Sequence, residues 1–225
     1  MTHDDFRFCF KFPQTISHQG QLKHTDNLLN DFLRLLDPLA DRIVQYWLQL
    51  PAAFSPAQLD ELWRFLDRLP CRFSYGVKVR HVAFFAKGKA ERALNQELQQ
   101  RGVNRVIVDS RPAHASTSQS LAALHARQQK PRVPPHALRT GDRPMVRFIG
   151  SDDVDESERF FSGLARKAGA MAGGKRPAVL YPYAGYGTGL SAGAGGYGPS
   201  CRRLKPISAR GQPSRSRSRC SDEGG

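Results

Sequence analysis

The sequence predicts an α/β protein built on parallel strands. Two observations carry that reading. Runs with strand period alternate with amphipathic helical runs through the first 164 residues, and the strands are nearly continuous apolar stretches, as strands covered on both faces are. With 40% hydrophobic residues and a mean hydropathy of -0.50, the 225-residue chain can bury a core. It has no apolar run of the roughly 18 residues a membrane span needs.

Phe6-Arg-Phe-Cys-Phe-Lys-Phe12 places phenylalanine at every second position, the period of a strand with one apolar face, and Pro13 ends it. Asn27 to Leu39 follows as a helix, with Leu28, Leu29, Phe32, Leu35, Leu36 and Leu39 on one stripe and Asp26 as candidate N-cap. Ile43 to Leu50 is dense in β-branched and aromatic residues and is closed by Pro51, which predicts a second strand. Ser55-Pro-Ala-Gln58 combines a capping serine, a proline at the first helical position and a glutamine three residues on, so a helix starts there. Its apolar face is Leu59, Leu62, Trp63, Leu66 and Leu69.

Phe73 to Val79 reads as a third strand and Lys89 to Gln100 as a helix, with Gly102 as its left-handed C-terminal residue. Val103 to Asp109 is a fourth strand ending in an acid. The Pro, His, Ser and Gln-rich stretch from Ser110 to about Arg143 reads as a long loop. Met145 to Ile149 predicts a fifth strand, and Asp155 to Leu164 the beginning of another helix.

A second composition begins near Leu164. Residues 1–164 hold 23 basic and 18 acidic residues, whereas residues 165–225 hold 11 basic and 2 acidic, so most of the formal charge of +14 belongs to the last quarter. That quarter also contains 13 of the 20 glycines and the run Ser214-Arg-Ser-Arg-Ser-Arg219. Such sequence offers too little apolar surface to offset the entropy of ordering, which predicts a disordered basic tail. Nucleic acid enters as a partner only through phosphate contacts by this tail. Cys9, Cys71, Cys201 and Cys220 lie far apart, and none has a second Cys or a His at metal-ligand spacing, which predicts no structural metal. No GxGxxG or GxxxxGK[ST] motif follows a strand, so nucleotide binding of the open-sheet kind loses support and the cofactor stays unknown. The N-terminus lacks the basic-then-apolar order of a secretion signal, which predicts a cytoplasmic location.

Phe6 to His18, Gln45-Tyr-Trp-Leu-Gln-Leu-Pro51, Tyr75-Gly-Val-Lys-Val-Arg-His81, Phe84-Phe-Ala-Lys-Gly88, Arg101 to Arg111 and Val146-Arg-Phe-Ile-Gly-Ser-Asp-Asp153 resemble the YecE-like proteins, domain-of-unknown-function family 72. The resemblance runs from about Asp4 to Leu164. It implies a TIM-type (β/α) barrel, with Phe6 to Phe12 as its third strand and Met145 to Ile149 as its seventh, and no established activity. About five of a barrel's eight strands are then present. The expected architecture is an incomplete barrel over residues 1–164, short of its N-terminal units, with an out-of-frame tail over 165–225 and open strand edges.

A barrel places chemistry at the C-terminal ends of its strands. There the sequence offers Lys11, His18 and Asp109 as candidate catalytic residues: an ammonium able to bind an anion or act as base, an imidazole able to shuttle protons, and a carboxylate able to act as base or metal ligand, or else to cap the next turn. Gln49, Arg80, His81 and Arg147 are the candidate substrate-binding residues, the two guanidinium groups suiting phosphate or carboxylate. The expected ligand is a small polar or anionic molecule acted on at the barrel mouth. Lys78 stands where the family usually has a glutamate, so any mechanism that uses that acid would fail in this chain.

Overall fold

The structure is a computed structural model and describes residues 6–130, 132–171 and 179–183. Its strands are β1 (Phe8–Lys11), β2 (Ile43–Gln49), β3 (Tyr75–Lys78), β4 (Asn104–Arg105), β5 (Ile107–Asp109), β6 (Met145–Ile149) and β7 (Val179–Tyr183). Every pairing among them is parallel, in the orders β1-β2-β3-β4 and β5-β6-β7. The helices are α1 (Asp26–Leu36), α2 (Leu59–Asp67), α3 (Lys89–Gln100), α4 (Arg111–Ala115), α5 (Leu121–Gln129) and α6 (Val154–Met171). Strand-helix alternation with parallel pairing is therefore the architecture. Among the described residues β7 does not pair with β1, and no closed barrel is formed.

The period of two sorts each strand into two faces. Phe12, Tyr46, Leu48, Tyr75, Val77 and Val79 point to the helices and pack with Leu29, Leu62, Phe65, Phe84, Leu94 and Leu98 in one continuous core. Val146 and Phe148 do the same beneath Leu164 and Phe161 of α6. The residues between them, Lys11, Trp47, Gln49, Lys78 and Arg147, are left on the opposite face, as the registers Lys11 with Trp47 and Gln49 with Lys78 require. Full burial of each large apolar side chain contributes about 1.5–3 kcal/mol, so it is the helix-side face that fixes the register.

The two strand groups are one array interrupted at a single residue. Val106 still donates its N–H to the Val77 carbonyl (2.9 Å), continuing the ladder to β3. On the other edge of β4, Thr140 Oγ1 accepts the Arg105 N–H (2.6 Å) and donates to the Val103 carbonyl (2.7 Å), so a side chain takes the place that β6 fills for β5. Gly141 follows at a point where any Cβ would meet Asn104 Oδ1 at 2.6 Å and the Gly102 carbonyl at 2.7 Å. The expected single strand Val103 to Asp109 is thus split by a residue 35 positions further on, which local pattern does not reveal.

The array is curled. β2 and β6 are three strand spacings apart, about 14 Å in a flat sheet, and yet Arg147 NH1 donates to Gln49 Oε1 at 2.9 Å. Two side chains that left a flat sheet in parallel could not meet across that span.

Several boundaries differ from expectation. Thr25, not Asp26, occupies the N-cap of α1, and Asp26 instead pairs with Arg68 at 3.0 Å. Pro38 ends α1 early by turning the chain into a 3-10 segment, Asp37–Arg42. The Ser55 start is realised as a capping box, with Ser55 N–H donating to Gln58 Oε1 at 3.0 Å. Gly102 has φ +64°, the left-handed stop that was expected. The expected loop from Ser110 to Arg143 contains α4 and α5. The expected boundary at Leu164 falls inside α6, which continues to Met171, and Val179–Tyr183 adds a strand beyond it. The remainder of the expected tail, residues 172–178 and 184–225, lies outside the described residues, as does the Ser-Arg run.

Candidate functional site

The face that the strands turn away from α1, α2, α3 and α6 is cationic at its C-terminal ends. Lys78, at the end of β3, is 3% exposed and donates from Nζ to Gln49 Oε1 at 3.3 Å. Arg147 of β6 donates to the same oxygen and lies over the Trp47 ring, 5.4 Å from its centre. Gln49 therefore bridges β3 to β6 through one carbonyl oxygen. Arg80, two residues beyond β3, donates to the Gln129 carbonyl at 3.2 Å and ties the strand ends to the end of α5, where Lys130 follows. Lys11 ends β1 on the same face. His18 follows in the turn Thr15–Gln19, with Nδ1 2.7 Å from Ser17 Oγ.

The electrostatics show that these groups share one space. Burial, reinforced by Arg147, Arg80, Lys130 and Lys11, brings the Lys78 ammonium down to about 6. Burial and then Arg147 lower Lys11. Burial lowers Lys130, with Arg147 and Arg80 acting in the same direction, and burial lowers His18, helped by Lys11 and Arg80. Each group is destabilised in its charged form first by burial and then by its cationic neighbours. An anion placed among them would reverse that penalty.

The structure brings together Lys11, His18, Gln49, Arg80 and Arg147 of the residues named from sequence. Two others stand apart. His81 Nδ1 accepts the Ala83 N–H at 3.2 Å and caps the short helix Val82–Phe85. Asp109 is aligned with Phe148, whose ring packs against α6, and so faces the helices rather than the cationic face. Its carboxylate is fully buried and receives the Arg111 N–H (3.1 Å), Nε (2.9 Å) and NH2 (2.7 Å), while that guanidinium lies over Phe160. Of the readings open to Asp109, the geometry matches the turn-capping one: alternation from the outward Ile107 fixes its face.

Sequence reasoning missed Lys130 and treated Lys78 only as a departure from a family pattern. Strand alternation held the signal for Lys78, since it lies two residues from Gly76 and opposite Val77 and Val79. Lys130 carried no such signal, because its position depends on α5. Among the described residues no three His, Cys, Asp or Glu side chains come together as a metal ion would need. No described helix is long and apolar enough to cross a membrane.

Comparison with known proteins shows the family and the fold. The model of the family "Protein of unknown function DUF72" matches residues 1–184. The chain is 59% identical over 166 residues to UPF0759 protein YecE of Escherichia coli strain K12, and 58% identical over the same length to its counterpart in Escherichia coli O157:H7. Each alignment covers 74% of this chain and 61% of the relative, so the chain spans about three fifths of the length of those curated relatives. Among solved structures, a DUF72 family protein of Thermotoga maritima MSB8 superposes with a TM-score of 0.54 at 19% identity, over 82% of this chain and 68% of that one. One from Enterococcus faecalis V583 does so with a TM-score of 0.55 at 16% identity, over 79% and 67%. At those identities the likeness concerns the fold.

Proposed function

The chain belongs to the DUF72 family of proteins of unknown function, and from that premise we propose that it is a cytoplasmic barrel-type protein that binds a small anion at the C-terminal ends of its strands. The observation that supports the reading most is the gathering of Lys11, Lys78, Lys130 and His18 around the guanidinium groups of Arg80 and Arg147, where burial first and these cationic neighbours second disfavour each charged form. Clusters of like charge cost stability, and a bound phosphate or carboxylate offsets the cost while using the planar donor forks of the arginines. Arg147 and Arg80 are the anion clamps, Gln49 orients Arg147, and Lys11 adds charge at the rim. His18 carries a neutral imidazole suited to receive a proton from a bound ligand.

Titration calorimetry with sulfate, a phosphate monoester and a dicarboxylate tests the reading. Binding is expected, and Arg147→Ala should weaken it by about 10-fold to 100-fold, the loss of one charge-assisted hydrogen bond of about 1.5–3 kcal/mol. Arg72→Ala removes an exposed guanidinium that pairs with Asp37 outside the cluster, and should leave affinity unchanged. Absence of binding by all three anions, or equal loss in both variants, would remove the basis of the proposal.

A further inference from the structure

Lys78 has a property that anion binding does not use. Its amine ends in a neutral partner, the Gln49 amide oxygen, rather than in a carboxylate. The strand-end acid Asp109 is turned to the other face and held by Arg111. The oxygen that Lys78 and Arg147 both contact is itself a carbonyl oxygen, at 3.3 and 2.9 Å, so one sp2 carbonyl already sits between this amine and a guanidinium. A small molecule that offered its own carbonyl in place of the Gln49 amide would meet a nucleophilic nitrogen on one side and a cation on the other.

We propose that Lys78 forms an imine with small carbonyl-bearing acids, whose acid group is held by Arg147, Arg80 and Lys11. The proposal rests on the anion-binding reading above and adds the class of ligand, an oxo acid, together with a covalent step. In that step the nitrogen lone pair attacks the carbonyl carbon, a C–N bond forms and the carbonyl π pair moves to oxygen, which takes a proton. Nitrogen loses one proton as the oxygen gains its first, and the resulting hydroxyl takes a second proton, matched by the second that nitrogen gives up, and leaves as water, so that C=N forms with no net oxidation or reduction. The step needs a lysine that carries a lone pair near neutral pH. Burial and the charges of Arg147, Arg80, Lys130 and Lys11, which face the amine from β6, the end of β3, the end of α5 and β1, supply that condition.

The test uses the full chain, glyoxylate as probe and cyanoborohydride to reduce any imine, followed by a peptide mass map. Lys78 is expected to be labelled ahead of every other lysine, at least about 10-fold faster than the exposed Lys23. The rate should fall as pH drops below about 6, because protonation removes the lone pair. Saturating sulfate should suppress labelling of Lys78 and leave that of Lys23 unchanged. Acetaldehyde, which lacks the acid group, should show no preference for Lys78. Even labelling of all lysines by glyoxylate, or labelling confined to Lys11 and Lys130, would overturn the proposal. If sulfate binds in calorimetry while Lys78 stays unmodified, the covalent step fails and the anion site stands; if sulfate does not bind, both fail.

Discussion

At the scale of single residues, the costliest placements are charged groups taken out of water, and Arg105 and Glu91 are the pair that named partners account for. Arg105 and Glu91 are both buried and paired at 2.9 Å. Arg105 also donates to Asn95 Oδ1 and to the Phe84 carbonyl, and Glu91 accepts the Lys87 N–H at 2.7 Å. Burial raises the Glu91 carboxyl, but the hydrogen bonds from His136, Lys87 and Arg105 outweigh it and hold the group below its usual range. Replacing only one member strands the other. Glu91→Gln is expected to cost about 3–5 kcal/mol in urea denaturation, whereas Lys89→Gln, whose exposed side chain makes none of these bonds, should stay within about 0.5 kcal/mol. A loss below 1 kcal/mol for Glu91→Gln would mean that water reaches the pair. Gly76 makes a sterically stricter demand: a Cβ there would lie 2.3 Å from the Gln45 amide and 3.3 Å from Val106. Gly76→Ala should therefore destabilise by about 1–3 kcal/mol in the same measurement, an overpacking cost that rises if Gln45 cannot move.

At the scale of elements, α5 is the piece whose removal would most change the candidate site without touching its ligands. Its N-terminus is capped by Ser120, whose Oγ accepts the Ala123 N–H at 3.1 Å. Arg127 reaches back to the Ser116 and Ser118 carbonyls at 2.8 and 2.6 Å and closes the segment that precedes the helix. Beyond these bonds the helix buries only alanines, Ala123 and Ala126. Arg127→Ala should therefore increase amide exchange across residues 116–129 by about 10-fold or more, while α3 keeps its protection, because a hydrogen bond to a charged group contributes about 1.5–3 kcal/mol. Unchanged exchange would show that the alanine packing suffices. The same weakness explains why α5 was illegible in the sequence. An alanine face gives no apolar stripe to read, and the Ser and Gln around it look like loop. β6, a dense apolar strand, and the polar-faced α3, whose end Gly102 marks, were legible to the residue. β7 was missed for a related reason: the glycine and arginine around Val179–Tyr183 mask a five-residue apolar run that acquires meaning only against β6. The candidate site was legible as far as alternation and strand ends reached, which pointed to Lys11, Gln49 and Arg80, with Arg147 as a second guanidinium clamp. It misplaced Asp109, where an end-of-strand acid was read without following its face back to Ile107.

At the scale of the whole molecule, the curled array has one face packed under α1, α2, α3 and α6 and another that gathers like charges beside a small apolar cluster of Val108 and Ile149 with Ala113 and Ala126. The helix-side core sets register and buries the large side chains; the other face gathers like charges, and Lys78 bears the largest part of that cost. The sign of the pH dependence follows from its titration. In the unfolded chain the lysine titrates near its ordinary value of about 10.4, and in the folded protein it titrates at about 6. Between those values the unfolded state holds a proton that the folded state lacks, so stability rises with pH across the window. Below about pH 6 both states are protonated, and the folded state bears the full cost of the buried charge. Lys78→Met removes the group at similar volume. The variant is expected to be more stable than the parent, most of all at and below about pH 6, with the difference shrinking steadily as pH rises to about 9. Urea midpoints for both proteins across that range measure it. A difference that does not vary with pH would place the Lys78 amine in contact with water at all times, and would return the cationic face to the status of an ordinary solvated surface.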